Sequence, residues 1–561
     1  MIKKTPSRFP QGLPQYQVIR NNKCVNCGTC VEVCKYQVHT RPDGYKRVLT
    51  RAHHRCIGFK CLKTDSCCII HCPRQALTLQ NHPLWEALGD DRWTPELIKA
   101  TWHQAETGES PDDLPETGNS EGGFDVLKFK YPSESQDNNL NKKCHCEERD
   151  SSLVIASPNG AKQSHSLGTG SAISPGREIE IATLPEFTLS KANVVARNDR
   201  GRFPLGHSVS QEFSNIDTSL SLNRRSFGPQ ITIPIPIYGG GMSFGSISLP
   251  TMVGRAKAAQ HWKTFVSTGE GGYPEELAPY DNHIITQVAT GLFGVCEQTI
   301  QRVRFMEFKY AQGAKPGLGG HLLGDKNTPV VAAMREAPAG TSLFSPFPFH
   351  SVYSVEDHKK HLDWIRSINP NILISVKVAT PTDIDMVAVG SYYAGANIVH
   401  IDGGYGGTGA APEIAKKNIA MPLEYAIPRV HRFLLDEGIR DEIVLIASGG
   451  IRNALDVAKA IALGADGVVI GTAELVALEC VRCGNCESGR GCPRGIATTD
   501  EELSPMLDSD WAAQRIINLY TAWQKIWIEL LRKLGLKSIA QLRGRYDLLK
   551  VAKEVSVKVK V

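Results

Sequence analysis

The stretch Gly467-Val-Val-Ile-Gly471-Thr472-Ala-Glu-Leu-Val-Ala-Leu-Glu-Cys480-Val-Arg-Cys483-Gly-Asn-Cys486-Glu-Ser-Gly-Arg-Gly-Cys492 places a short β run ending in Gly-Thr directly before four cysteines. Such a strand end reads as the last phosphate-binding loop of a parallel (β/α)8 barrel, where backbone N–H groups converge on an oxyanion. The spacing Cys-x2-Cys-x2-Cys-x5-Cys lets successive thiolates reach different corners of one iron-sulfur cluster. A structural zinc site is the competing reading of four clustered cysteines. A cluster beside a barrel-bound phosphate points to electrons delivered to a flavin.

Working outward from that strand, short β-rich runs alternate with helical stretches from Ile231 onward. Eight strands are expected: 233–238, 264–267, 292–295, 304–310, 372–378, 397–401, 443–447 and 467–470. An α/β fold built on a (β/α)8 TIM barrel follows, with function at the carboxyl ends of the strands. Those ends carry the unusual residues: Gly239 to Ser243, Ser267-Thr-Gly-Glu-Gly-Gly272, Lys377, Gly403 to Gly409, Ser448-Gly-Gly450 and Gly471-Thr472. Gly404-x-Gly406-x-x-Gly409 also fits the dinucleotide fingerprint. Its place as the sixth strand of a series, with two glycine loops after it, favours the barrel. No Walker loop is present.

The other end of the chain carries Cys24, Cys27, Cys30 and Cys34 with bacterial-ferredoxin spacing, although Lys35 replaces the following proline. Cys56, Cys61, Cys67, Cys68 and Cys72 follow, and Cys68-x3-Cys72-Pro73 restores the closing part of the motif. The pattern resembles a small α+β two-cluster ferredoxin-like domain with a stretched second motif. That likeness implies one cluster on Cys24, Cys27, Cys30 and Cys72, and a second on Cys56, Cys61, Cys68 and Cys34, with Cys67 spare. Zinc, or no metal, is the alternative for the irregular second motif.

Residues 1–80 form this iron-sulfur module, 81–230 a connecting region, 231–500 the barrel with its cysteine loop, and 501–561 a helical extension. Trp85, Trp93 and Trp102 mark an apolar helical start to the connector, whereas 134–175 reads as a linker or disordered insert. Cys144-His145-Cys146 inside it makes no closed metal site. Trp511, Ile516, Tyr520, Trp523, Trp527, Leu530, Leu531 and Leu534 recur at near-helical spacing, as expected of a helix packed on the barrel.

Sixteen cysteines without an apolar amino-terminal segment fit a reducing cytoplasm better than a disulfide framework. No run of about 18 apolar residues suggests a membrane span. The net charge of +5 reads as spread thinly, without the basic block of a nucleic-acid binder. Hydrophobic residues at 41% suffice for a large core.

From about Pro234 to Leu548 the chain resembles the FMN-binding synthase domain of glutamate synthases, in the short archaeal-type form with an amino-terminal ferredoxin-like module. The resemblance rests on Gly241-Met-Ser-Phe-Gly-Ser-Ile-Ser248, Ser267 to Gly272, Lys309-Tyr-Ala-Gln-Gly-Ala-Lys-Pro-Gly317, Tyr353-Ser-Val-Glu-Asp357, Gly404 to Gly409 and Cys492-Pro-Arg-Gly-Ile-Ala-Thr498. It implies reductive amination of 2-oxoglutarate with ammonia, by hydride from FMN reduced through iron-sulfur clusters. By the same resemblance, Lys315 and Arg335 bind the substrate carboxylates, Lys377 faces the flavin, and Glu270 and Glu356 handle protons. FMN is expected on Gly241, Met242, Ser243, Thr268, Gly269, Lys377, Gly404, Gly406, Gly407, Thr408, Gly409, Ser448, Gly449, Gly450, Gly471 and Thr472.

Two departures stand out. Leu318 and His321 replace the family's glutamate and glutamine, which alters the expected pocket, though His321 can still donate to a carboxylate. Cys483 adds a fourth thiol to a set of three, favouring 4Fe-4S over 3Fe-4S on Cys480, Cys483, Cys486 and Cys492. Ile2 stands where the family's glutaminase cysteine would follow Met1, so no glutaminase domain is expected ahead of the barrel and ammonia is expected from solution or a separate glutaminase subunit. Electrons are expected from ferredoxin or an NAD(P)H-oxidising flavoprotein subunit, in an oligomeric assembly. The competing readings are a related FMN-dependent C–N oxidoreductase, such as an N-methylglutamate synthase, and an electron-relay subunit of a larger complex.

Overall fold

The computed structural model describes residues 2–9, 13–111, 123–131 and 216–551, apart from 319, 347–348, 409–410 and 488. The 134–175 insert, Cys144-His145-Cys146 and Gly409 lie outside the described residues.

Eight parallel strands close a barrel: β1 (Ile237–Gly239), β2 (Val266–Ser267), β3 (Ile284–Ala289), β4 (Phe305–Lys309), β5 (Leu373–Ala379), β6 (Ile398–Asp402), β7 (Val444–Ser448) and β8 (Gly467–Ile470), which pairs back onto β1. Most read as near-continuous apolar runs because helices cover the outside and side chains fill the inside. The expected third strand at 292–295 is corrected. Leu292 has a left-handed φ of 52° and is exposed, in a turn with Gly294 at φ 64°. The strand is the wholly buried Ile284-Ile-Thr-Gln-Val-Ala289, eight residues earlier, whose central Thr-Gln masks its apolar character.

Ile233 also belongs elsewhere than expected. Thr232–Ile233 pairs antiparallel with Leu220–Ser221, and Leu220, Leu222, Ile231 and Ile233 pack into the barrel interior against Tyr238, Phe265 and Phe305. The hairpin thus plugs the amino end and leaves the carboxyl end for chemistry.

The inward face changes character along the strands. Its lower layer is apolar, with Ile285, Phe305, Leu373, Ile398 and Val444. Two and four residues further on, the same face presents Gln287, Glu307, Lys309, Ser375, Lys377, His400 and Asp402, because alternate residues of a strand share a face. Register aligns Gln287 with Glu307 and Ser375, and Lys309 with Lys377 and His400.

Helix Ser509–Lys533, capped by Asp508 accepting from the Trp511 N–H, lies against helix Leu249–His261 so closely that a Cβ on Gly254 would come 2.7 Å from Ala512 Cβ. Helix Pro95–Thr107, with Thr94 as its N-cap and proline at its start, packs on the same long helix. Trp523 donates to Gln104 Oε1 and Asn518 to the Ala105 carbonyl.

Residues 16–81 form a smaller body. Tyr16–Arg20 pairs antiparallel with Leu77–Asn81, a short helix covers Thr29–Val33, and a small apolar cluster buries Val18, Cys30, Val48, Cys68 and Leu77, with partly buried Val31, Cys56, Ile69, Cys72 and Leu79 against it.

Candidate active site

A cleft opens at the carboxyl ends of the strands. Gly241, Met242, Ser243, Gly269, Lys377, Gly406, Gly407, Thr408, Ser448, Gly449, Gly450, Gly471 and Thr472 all line it. Thr268 is buried behind it, and Gly404 is backed by the Ala420 carbonyl; these two shape the loops. Gly449 and Gly450 adopt left-handed φ values of 104° and 78°, and a Cβ on Gly449 would strike the Gly403 carbonyl. A Cβ on Gly241 would stand 2.9 Å from Gln287 Nε2. The cleft wall is therefore bare backbone where a phosphate-bearing group needs N–H donors.

Its floor is a buried chain of polar groups. Gln287 Nε2 donates to Glu307 Oε1 at 2.6 Å, and Ser375 Oγ donates to Glu307 Oε2 at 3.2 Å. His400 Nδ1 lies 2.7 Å from Glu307 Oε2, and its Nε2 lies 2.7 Å from Ser448 Oγ. Ser448 Oγ donates to Asp402 Oδ1 at 2.5 Å, while Asp402 Oδ2 accepts from the Gly313 N–H and pairs with Lys377 Nζ at 3.2 Å. Burial presses Lys377 toward neutrality, yet Asp402 and Glu307 overcome it and hold the ammonium above the usual lysine range. Burial likewise opposes the Glu307 charge, and His400 and Lys377 more than offset it.

One wall collects cations. Lys309 Nζ pairs with Glu270 Oε1 at 2.9 Å. Burial would raise the Glu270 carboxyl, but Lys309, with Lys315 and Arg335, holds it below the usual range. Lys315 is 4% exposed, has no carboxylate within salt-bridge distance among the described residues, and is pushed down to about 8 by burial and by Lys309. Arg335 donates to Ser243 Oγ at 3.1 Å and to the Phe244 carbonyl, while its buried Nε has no partner among the described residues.

The structure thus brings Lys315, Lys377, Glu270 and His321 to one cleft, with Arg335 directly behind Ser243. It does not bring Glu356, which stands exposed in the first turn of helix Val355–Ile368. Leu318 is 53% exposed and does not line the cleft. Sequence reasoning missed Gln287, Glu307, His400, Asp402 and Trp93. The signal for the middle three was a charged or imidazole residue inside an otherwise apolar buried strand.

Cys480, Cys483, Cys486 and Cys492 line an adjoining cavity with Asp90, Arg92 and Tyr405, and Cys480 and Cys486 line the main cleft as well. The cysteine loop is the wall between the two. Burial pushes the Cys480 thiol up to about 11. In the smaller body Cys34, Cys56, Cys61, Cys67 and Cys68 line one small cavity, so the expected spare Cys67 is among the convergent thiols. Burial and these neighbours push Cys68 up to about 12. Among the described residues no three ligand-type side chains close into a metal ion's shell.

Residues 190–537 match the model of the conserved region in glutamate synthase. The chain is 34% identical over 540 residues to the archaeal-type glutamate synthase [NADPH] of Thermotoga maritima, covering 96% of this chain and 94% of that protein. It is 45% identical over 331 residues to the archaeal glutamate synthase [NADPH] of Methanocaldococcus jannaschii, covering 58% and 64%. The glutamate synthase [NADPH] large chain of Azospirillum brasilense is 35% identical over 316 residues, covering 55% of this chain and 21% of that one.

Proposed function

Because the chain belongs to the glutamate synthase family, we propose that it forms glutamate from 2-oxoglutarate and ammonia in the cleft at the barrel's carboxyl end. The observation that carries this reading is buried Lys315, with no carboxylate partner among the described residues, on a cleft walled by glycine loops, with Arg335 as a second cation bonded to the back of Ser243 in that wall. A dianionic keto acid needs two cationic anchors; Arg335 offers a planar fork and Lys315 a point charge.

FMN fits the bare glycine cradle at Gly449, Gly450 and Gly471 and, when bound, would supply hydride to the imine carbon. Lys377, held cationic by Asp402, faces that region and favours negative charge on a bound ring. Glu270 is held ionised by Lys309 and accepts a proton from the incoming amine. His321 borders the same cleft and can donate to a substrate carboxylate. The thiol sets fit iron-sulfur clusters by their donor chemistry: Cys480, Cys483, Cys486 and Cys492 at the cleft wall, and two sets in residues 24–72. The domain division at 80, 230 and 500 goes with this reading, as does electron supply from a separate donor.

The test is anaerobic. Reduced, flavin-loaded protein is mixed with 2-oxoglutarate and ammonium, with 2-oxoglutarate and methylamine, or with 2-oxoglutarate alone. Rapid flavin reoxidation with glutamate formation in the first mixture supports the proposal. Reoxidation only with methylamine replaces it by an N-methylglutamate-forming enzyme, and inertness to every mixture leaves only an electron relay.

A further inference from the structure

The net charge of +5 conceals a strong asymmetry. Residues 1–80 hold 14 Lys and Arg against 3 Asp and Glu, whereas the remaining residues hold 49 against 55. The expectation of thinly spread charge is corrected: the cysteine-rich body is basic and the rest of the chain mildly acidic.

Part of that surplus serves the cysteines themselves. Half-buried Arg20 donates to Cys24 Sγ at 3.0 Å and to Thr50 Oγ1. Most of it does not. Lys23, Lys35, Arg41, Lys46, Arg47, Arg51, Lys63 and Arg74 are exposed, and none has a carboxylate within salt-bridge distance among the described residues. Lys23, Val25, Pro73, Arg74 and Gln75 line one shallow surface depression. Val25, 57% exposed, lies between Cys24 and Cys27, and Pro73 follows Cys72. Arg41 reaches the same loop, donating to the Asn26 carbonyl. An exposed apolar contact is thus framed by cations on residues that adjoin Cys24 and Cys72 in the chain, and Cys27 is itself exposed. Apolar centre and charged rim are the anatomy of a transient protein interface, and charge of one sign steers an oppositely charged partner to it.

We propose that this face, Val25 framed by Lys23, Arg41 and Arg74, docks an acidic one-electron carrier protein. The inference rests on the iron-sulfur reading given above. At each encounter the carrier is oxidised by one electron and the thiol-ligated centre beneath Val25 is reduced by one; two encounters supply the pair that reduces one imine, whose protons come from solvent and the amine. A protein partner is favoured over nucleic acid because the cations surround redox-active thiols.

The test uses the full, cluster-loaded chain and an acidic bacterial-type ferredoxin as probe, with affinity measured by calorimetry. Binding should weaken at least tenfold between about 50 mM and about 300 mM salt. The K23E/R74E variant should lose about tenfold or more in affinity at low salt, while K359E/K360E, reversing exposed charges on the barrel, should not. Cluster absorbance and glutamate formation from dithionite-reduced protein should be unchanged in K23E/R74E, so failure of docking and failure of the synthase reading are separable. Salt-insensitive binding, equal loss in both variants, equally tight binding of a single-stranded oligonucleotide, or direct reduction by NADPH at the rate seen with the carrier would each overturn the proposal.

Discussion

The chain carries cysteine sets at both ends, set in contrasting surroundings. The 480–492 loop is fastened to a large preformed core: the Gly89 N–H donates to the Val481 carbonyl, the Cys492 N–H to the Ala497 carbonyl, and Lys326 to the Cys486 carbonyl. Residues 16–81 have two short strand pairs and an apolar cluster of which two members are themselves cysteines. A body of this size has only a marginal core, which a metal or disulfides commonly supplement. In one place a cluster would be inserted into a fold; in the other it would be part of what makes the fold.

The largest expected effect follows from that contrast. Chelating iron from the whole protein should abolish hydrogen-exchange protection in residues 16–81 and leave β1–β8 protected, because metal-binding free energy is folding free energy only where no site preexists. Cys68→Ser should do the same locally, whereas Cys486→Ser should remove the loop's cluster and leave protection intact everywhere else. Surviving protection in 16–81 after iron loss would remove the distinction.

Next in size is the barrel's own buried charge. His400→Phe takes away the imidazole 2.7 Å from Glu307 and leaves that buried carboxylate short of a hydrogen-bond partner, a defect expected to cost about 3 kcal/mol. The urea midpoint reports it, and an unchanged midpoint would mean that Gln287 and Ser375 alone hold Glu307. Arg335→Met should raise KM for 2-oxoglutarate by roughly thirtyfold, the worth of about 2 kcal/mol for a hydrogen bond to a charged group. A fall in kcat at constant KM would place Arg335 away from the ground-state substrate.

Smaller still is the pH effect of Lys315. Its ammonium is pushed down to about 8, so it is cationic below that pH and neutral above it. Affinity for the dianionic substrate should therefore decline as pH rises through 8, by about tenfold between pH 7 and 9. Lys315→Arg should move the decline to higher pH, and a decline that stays at the same pH belongs to another group.

The barrel was legible because most of its strands are apolar runs and several are followed at once by glycine, and the cysteine motifs because ligand spacing is local. What escaped detection was relational. Glu307, His400 and Asp402 stand on three different places of the inward face, and only strand register shows that they form one chain. The third strand was missed because Thr286 and Gln287 interrupt its apolar pattern; Gln287 is polar for the sake of Glu307, a partner on the next strand. Glu356 was drawn to the site by its motif, but its helix turns it to solvent, and the basic excess of residues 1–80 was hidden by summing charge over the whole chain.

The smallest expected effect joins the two regions. Arg482, inside the cysteine loop, donates to Asp90 Oδ2 through Nε and Nη2 at 3.0 and 2.7 Å, and Asp90 lies on the segment that leads from the small body to the barrel. Burial would raise the Asp90 carboxyl, yet Arg482 and the Trp93 and Arg92 N–H groups hold it below the usual range. Both partners are partly exposed, 24% and 36%, so solvent screening limits the pair to under about 1 kcal/mol of stability. Its geometric consequence is larger than its energy, because Cys480 and Cys486 form the wall of the main cleft and Asp90 is what anchors the residue between them. Arg482→Gln should therefore leave the melting temperature almost unchanged while slowing flavin reduction by electrons entering at residues 16–81. If that rate is unaffected, the loop is positioned by its backbone contacts to Gly89 and Ala497 alone, and the two cysteine regions are coupled through the barrel core instead.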